Sequence, residues 1–479
     1  MSMSQVLIAG AGPTGLTAAI SLARAGCSVR IVDAAERPFN GSRGDGLQPR
    51  TLEVFDDLGV APRVLAEGGP PLPTRVYVGG VLTGEQELFP MREPTAALPY
   101  PTGWFCPQFH TELILRERLA EFGVRVEFGT ALTEFSQSPH GVSAVLVHNG
   151  QREEFEADYL IGADGGRSAV RKQLGIGFAG TTREDFRMLL GDVRAEGLDR
   201  SAAYWFAPSE DPMSGVALTP LPGTELFQFG APLDRQVDEP GLEQLRDALA
   251  AAGGTAELSG LTWSTVWRPN IRMAERFRDG RVFLAGDAAH VHPPTGGQGL
   301  NTGVQDGYNL GWKLAAVLSG ADPVLLDSYE AERLPIARQV LELSTGIMAK
   351  YENGEDDALE RGEDVQQLGL GYRDSALSVQ HGVPLGELRA GDRAPDGLLV
   401  TKHGERLFDA LRGPHPLGLG FGVDVDALGQ HAYRVDGELP HYAAGSGTVL
   451  VLRPDGYLGY VGTSVAEAAE YRRSIAPNS

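Results

Sequence analysis

Three short segments rich in glycine and aspartate are the parts of this chain best suited to hold a small molecule. They are Gly10-Ala11-Gly12-Pro13-Thr14-Gly15, Gly162-Ala163-Asp164-Gly165-Gly166-Arg167-Ser168, and a longer run that opens on Gly286-Asp287 and closes on Gly299-Leu300-Asn301. Glycine lets a backbone approach a ligand closely, and a carboxylate accepts hydrogen bonds from hydroxyls. The first segment has the spacing that cradles a pyrophosphate. Gly10 permits the tight turn, Gly12 the close approach, and Gly15 the close packing of helix on strand. Pro13 and Thr14 then open a helix whose free N–H groups and positive end favour phosphate. Any one segment could arise by chance. Three in this order, so far apart, point to one site assembled from distant parts of the chain.

The flanking elements supply the required context. Val6 to Ala9 is an apolar run suited to a buried parallel strand, and Leu16 to Ala25 reads as a helix. A second strand, Ser28 to Val32, ends at Asp33, about 20 residues after the glycines, where a carboxylate binds ribose hydroxyls. This fingerprint alone does not choose between NAD and FAD. The Gly286-Asp287 pair does, because it follows a strand-like run, 281–285, and offers Asp287 to the hydroxyls of a flavin ribityl chain. Pro293, Pro294 and the glycines up to Gly299 make a stiff loop with room for a flat ring. From Asn301 the pattern is helical, with Val304, Tyr308, Trp312 and Ala315 on one face. Its positive N-terminus would face the ring and stabilise negative charge on a reduced flavin.

Composition narrows the class. A chain of 479 residues, 42% hydrophobic, is too long for one core and implies two or three domains. A net charge of -22 argues against nucleic acid or an anionic membrane as partner. No uninterrupted apolar stretch is long enough to span a bilayer. The apolar N-terminus lacks a basic segment and is broken by turn residues, which disfavours a signal peptide. Cys27 and Cys106 form no CxxC pair, so a reducing cytoplasm is expected and disulfide-reductase chemistry is not. His290 and His292 lack a third ligand in view, so no metal is expected.

Taken together, these motifs and their order resemble the para-hydroxybenzoate hydroxylase family of class A flavin-dependent aromatic monooxygenases, and within it the bacterial polyketide hydroxylases and rifampicin monooxygenase. The likeness spans at least Val6 to Ser344. It implies an α/β fold, α+β overall, in which a Rossmann-like FAD-binding domain (1–75, 109–174 and 281–389 with connecting helices) is interleaved with a β-sheet substrate domain (76–108 and 175–280). Residues 79–108 read as irregular, and the acidic run 354–364 as a surface connection. Residues 390–479 would form a small thioredoxin-like unit without its cysteines, with a structural or oligomer-forming role. The resemblance also assigns Arg43, Gln108, the Leu132 backbone and Asp164 to the FAD, although Asp164 could equally cap the helix that follows it. It implies FAD as cofactor, NAD(P)H as co-substrate with NADPH preferred, and dioxygen. An aromatic, phenolic or polyketide-like substrate would be hydroxylated through a flavin C4a-hydroperoxide. No catalytic side chain is named, because the flavin performs the chemistry, and a homodimer is an open alternative to a monomer. Three other readings stay open. A halogenase would need a Trp-x-Trp-x-Ile-Pro signature that the chain lacks; an oxidase or dehydrogenase would not insert oxygen; a silent FAD-binding protein would be inert.

Overall fold

A computed structural model describes residues 3–183, 186–209, 214–233, 240–293, 295–353, 355, 362–382, 385–401, 404–436 and 439–477. The acidic run at 354–364 therefore lies largely outside the described residues.

The nucleotide domain is built on a parallel sheet. Strand Met3–Ala9 lies between Gln151–Gly162 and Val29–Asp33, and Val282–Leu284 pairs with the far edge of Gln151–Gly162. Val6, Leu7 and Ile8 are fully buried, as a strand covered on both faces requires. The register decides where the motifs meet. Ala9 pairs with Gly162 and with Val32, and Gly162 pairs with Leu284. All four strands thus end at one edge of the sheet. Gly10, Asp33, Asp164 and the Gly286-Asp287 turn emerge side by side there, at the carboxyl ends where open α/β sheets bind ligands.

Two helices pack across this edge. Pro13–Arg24 follows the glycine loop with Pro13 at its first position, where a missing N–H costs nothing. Gly299–Leu318 runs against it, with Val304, Tyr308, Trp312 and Ala315 all buried, as the periodicity predicts. The close approach depends on glycines. A Cβ on Gly311 would come within 2.5 Å of Ser21 Cβ, and one on Gly307 would meet the Thr14 carbonyl and Ala18 N.

The second domain is a seven-stranded sheet ordered Glu257–Trp267, Met188–Glu196, Phe227–Pro232, Val216–Pro220, Ala203–Ala207, Thr74–Val78, Val81–Gln86. Helix Leu242–Ala251 buries Leu245 and Leu249 against it. The irregular reading of residues 79–108 is corrected at its start. Thr74–Val78 and Val81–Gln86 form a hairpin that extends this sheet. The turn is Gly79-Gly80, with φ of +57° and +80°, a two-residue turn that matches strand twist. The same hairpin draws Thr74 and Arg75 into the seven-stranded sheet.

A third sheet carries the C-terminal unit, ordered Val379–Gln380, Leu458–Gly462, Val449–Leu452, Leu417–Phe421, Ala432–Val435. Its first strand lies ahead of residue 390, so this unit begins earlier than the sequence suggests. It is docked on the nucleotide domain through buried charge: Arg453 pairs with Glu332 at 2.7 Å, and Arg393 with Glu53. Such pairs hold register at a desolvation cost. Among the described residues, no helix is long and apolar enough to cross a membrane.

Candidate flavin and substrate cleft

A cleft of about 2120 Å³ runs from the carboxyl edge of the nucleotide sheet to the face of the seven-stranded sheet. That is more than a single drug-sized ligand needs. Gly10, Gly12, Pro13 and Thr14 line one end, with Asp33 and Leu132 beside them. Gly10 adopts φ +103°, and a Cβ there would collide with the Ala163 backbone. A Cβ on Gly15 would strike Gly10 O, so this glycine serves packing and lies behind the cleft wall. At Gly12 nothing approaches within 4 Å, leaving its side open to a ligand at the helix N-terminus.

The carboxylates divide their work. Asp33 accepts from Ala11 N and Ala35 N, both at 2.8 Å, and so pins the glycine loop to the second strand. Asp164 Oδ2 accepts from Ala169 N at 2.7 Å and Val170 N at 3.1 Å, which is the capping role, while its Oδ1 is buried, unpartnered and on the cleft wall. An orphaned buried acceptor needs a donor, and a bound hydroxyl would supply one. Asp287 projects into the cleft. Its surface stays open to the cleft, yet the protein crowded around its carboxyl raises its pKa above the usual range, opposed by His290 and Arg43. Gly286 stays behind it at φ +61°, where a Cβ would meet Thr14.

Arg43 reaches the cleft over the rings of Phe39 and Trp263, 4.9 and 5.8 Å from their centroids. Burial lowers its pKa, and Asp287 and Glu112 oppose that. Gln108 opens helix Gln108–Glu121 and donates to Glu112 Oε1 at 2.9 Å. Gly299 and Leu300 line the cleft at the start of the long helix. Asn301 does not line it. It is fully buried, donating to Gly46 O and Gly297 O and accepting from Gln48 N, and so fastens the loops on either side. Pro294 lies outside the described residues.

Sequence reasoning passed over several groups. Glu112 sits one helical turn after Gln108, on the same face, and burial pushes its pKa up to about 7; the four-residue spacing was the available signal. Asp45 lines the cleft, accepts from Gln228 Nε2 at 2.6 Å, and is pushed by burial up to about 7. Asp192 is fully buried behind it and rises to about 8, chiefly by burial and then by the nearby Asp45. On the opposite wall the seven-stranded sheet offers Met188, Leu190, Thr219, Gln228 and Trp267, a mostly apolar face with few polar groups. His290 pairs with His292 and with Asp306. Among the described residues, no three His, Cys, Asp or Glu side chains are grouped to hold a metal ion.

Comparison with known proteins agrees with this geometry. A match to the FAD binding domain family extends over residues 3–344. A flavin-dependent monooxygenase of Mycobacteroides abscessus is 45% identical, covering 97% of this chain and 98% of its own. The rifampicin monooxygenase of Streptomyces venezuelae is 33% identical over 97% of each. Aklavinone-11 hydroxylase, solved in a ternary complex with FAD and aklavinone, superposes with a TM-score of 0.81 at 29% identity over 99% of both chains. The residues around the cleft fit an FAD, and the two full-length relatives described above are named as monooxygenases. The chain belongs to the FAD binding domain family and is a flavin-dependent aromatic monooxygenase.

Proposed function

We propose that this enzyme uses NAD(P)H and dioxygen to place one hydroxyl on an aromatic substrate of phenolic or polyketide type. The observation that carries the reading is the continuity of the cleft. A phosphate-accepting helix end, a set of hydroxyl-accepting carboxylates and a broad apolar wall share one space. When bound, FAD supplies hydride acceptance from NAD(P)H and the activation of dioxygen at flavin C4a.

The chain's own residues do the rest. Gly12 and the start of helix Pro13–Arg24 receive the pyrophosphate. Asp33 would hold the adenosine ribose, and Leu132 would border the adenine. Asp164 Oδ1 and Asp287 accept from hydroxyls of the ribityl chain. Arg43, held over Phe39 and Trp263, supplies positive charge at the ring. Leu190, Met188 and Trp267 exclude water from the substrate face, and Gln228 orients a polar group there. NAD(P)H binds transiently, because the chain has no second glycine fingerprint for a resident nicotinamide. The test is direct. Purified protein should be yellow, and its NAD(P)H oxidation should rise when a phenolic or polyketide compound is added. A colourless protein, or a yellow one that remains inert across such compounds, would overturn the proposal.

A further inference from the structure

On the apolar wall of the cleft, one polar side chain is held so that a ligand meets a single atom of it. Side chains along a strand alternate between the two faces of the sheet. Phe227 and Phe229 go to the core beneath helix Leu242–Ala251, so Gln228 and Gly230 face the cleft. Leu218 goes to the same core, which turns Ala217 and Thr219 to the cleft. The ladder places Asp192 and Thr219 on either side of Gln228.

Gln228 is tied to the loop that carries Arg43. Its Nε2 donates to Ser42 O at 2.7 Å and to Asp45 Oδ2 at 2.6 Å. A main-chain carbonyl can only accept, so the amide cannot be turned over, and both of its protons are spent. Oε1 is what remains. Among the described residues no donor reaches it, and unlike Asp45 Oδ1 and both Asp192 oxygens it is not sealed off. Thr219 beside it can donate or accept and so imposes no preference. A carbonyl oxygen can only accept.

Room for a ring lies next to this atom. Gly230 is two residues further along the strand, and its ladder partner is Ala217. A Cβ on Gly230 would meet Leu190 at 3.6 Å and Met188 at 3.8 Å and nothing else within 4 Å. A flat ring laid on this low floor has its edge beside Gln228.

We propose that Gln228 is a specificity-determining residue whose fixed Oε1 accepts a hydrogen bond from a free aromatic hydroxyl, so that the cleft selects phenols over their methyl ethers. An ether oxygen has no proton to give. Binding one would leave two acceptors facing each other in a space closed to water, which costs affinity. Ser42 O and Asp45 act through Gln228 by holding the amide in register. The proposal rests on the reading of the cleft as a flavin and aromatic-substrate site.

The test has two parts, both on the full-length, flavin-loaded protein. The first is nitrogen NMR with labelled glutamine, the Gln228 side-chain amide being assigned by its loss in Gln228→Lys. Both of its protons should exchange with solvent about tenfold more slowly than those of an exposed glutamine, as a retained hydrogen bond implies. Fast exchange would overturn the fixed orientation. The second is titration with 2-naphthol and with 2-methoxynaphthalene, read by the change in flavin absorbance. Wild type should bind 2-naphthol about tenfold more tightly. Gln228→Lys keeps donors for Ser42 O and Asp45 but has no acceptor, so the preference should vanish in it. A preference that survives the exchange would show that the bulk of the methyl group excludes the ether, and would overturn the proposal. Equal binding of the two compounds to wild type would overturn it while leaving the aromatic cleft standing. A yellow protein that binds neither would overturn the reading of the cleft, and this inference with it.

Discussion

Replacing Gly311 by alanine should destabilise this enzyme, although alanine is the better helix former. In an open helix interior the exchange gains about 1 kcal/mol. Gly311 is not open. An added Cβ would lie 2.5 Å from Ser21 Cβ, with Ser21 Oγ at 3.3 Å and Ala18 O at 3.4 Å. Ordinary contact begins at 3.4 Å, so the shortfall is 3.4 − 2.5 = 0.9 Å. Ser21 Cβ cannot rotate away, so the two helices must part. Overpacking of this kind costs ~1–3 kcal/mol, and the rigid contact places it at the upper end. The net expectation is a loss of about 2 kcal/mol. Both helices carry cleft residues at their N-termini, Gly12 and Pro13 on one, Gly299 and Leu300 on the other. Parting them should also weaken FAD retention. Gly346, inside helix Asp327–Glu352 with nothing within 4 Å, is the control, and Gly346→Ala should stabilise by about 1 kcal/mol. Thermal melting and flavin content of the two variants are the assay. A Gly311→Ala protein as stable and as yellow as wild type would refute the packing argument.

Asp287→Ala should remove a charge-assisted bond worth about 1.5–3 kcal/mol to the cofactor, lowering FAD affinity by at least tenfold in a folded protein; fluorescence titration of FAD into stripped enzyme measures it, and unchanged affinity counts against the assignment. Arg43→Ala should slow flavin reduction by NAD(P)H roughly tenfold, as loss of about 1.5 kcal/mol of charge stabilisation implies, with an unchanged melting temperature; reduction at the wild-type rate in stopped flow would argue otherwise. Asp45 carries a pH signature. Its folded carboxyl keeps a proton up to about pH 7, whereas an unfolded aspartate releases it near 4. The folded state therefore binds more protons between those values, and stability falls as pH rises across that window. Asp45→Asn should remove that contribution, at most about 4 kcal/mol, so melting temperatures from pH 4 to pH 8 should decline less than in wild type; an identical decline would contradict the burial argument.

The nucleotide site was legible because its residues are dictated by backbone geometry. Gly10 needs positive φ, Gly12 needs an open side, and Asp33 must end a strand two elements on. The parallel register then brings Asp164 and Asp287 alongside without further instruction. Other features depend on partners that a linear reading does not pair. Gly303, Gly307 and Gly311 read as weak points in a helix, yet they form the row on which Pro13–Arg24 sits. Asp45 and Asp192 gain meaning only when the seven-stranded sheet, which carries Asp192, packs over the loop that carries Asp45. Asn301 reads as a ligand contact in the sequence, whereas its side chain is a buried fastener between two loops. The cluster around Asp306 joins residues 16 and 27 apart in sequence, His290 and Arg333, a pairing that no local spacing announces.

The central claim, insertion of one oxygen atom into an aromatic substrate at this cleft, is tested most directly with heavy-oxygen-labelled dioxygen. Purified enzyme, NAD(P)H and a phenolic or polyketide substrate that stimulates its oxidation are incubated under the labelled gas, and the product is weighed by mass spectrometry. The account predicts one labelled oxygen atom in the product for each NAD(P)H consumed in its coupled turnover. A product without label, formed alongside stoichiometric hydrogen peroxide, would identify an oxidase and contradict it.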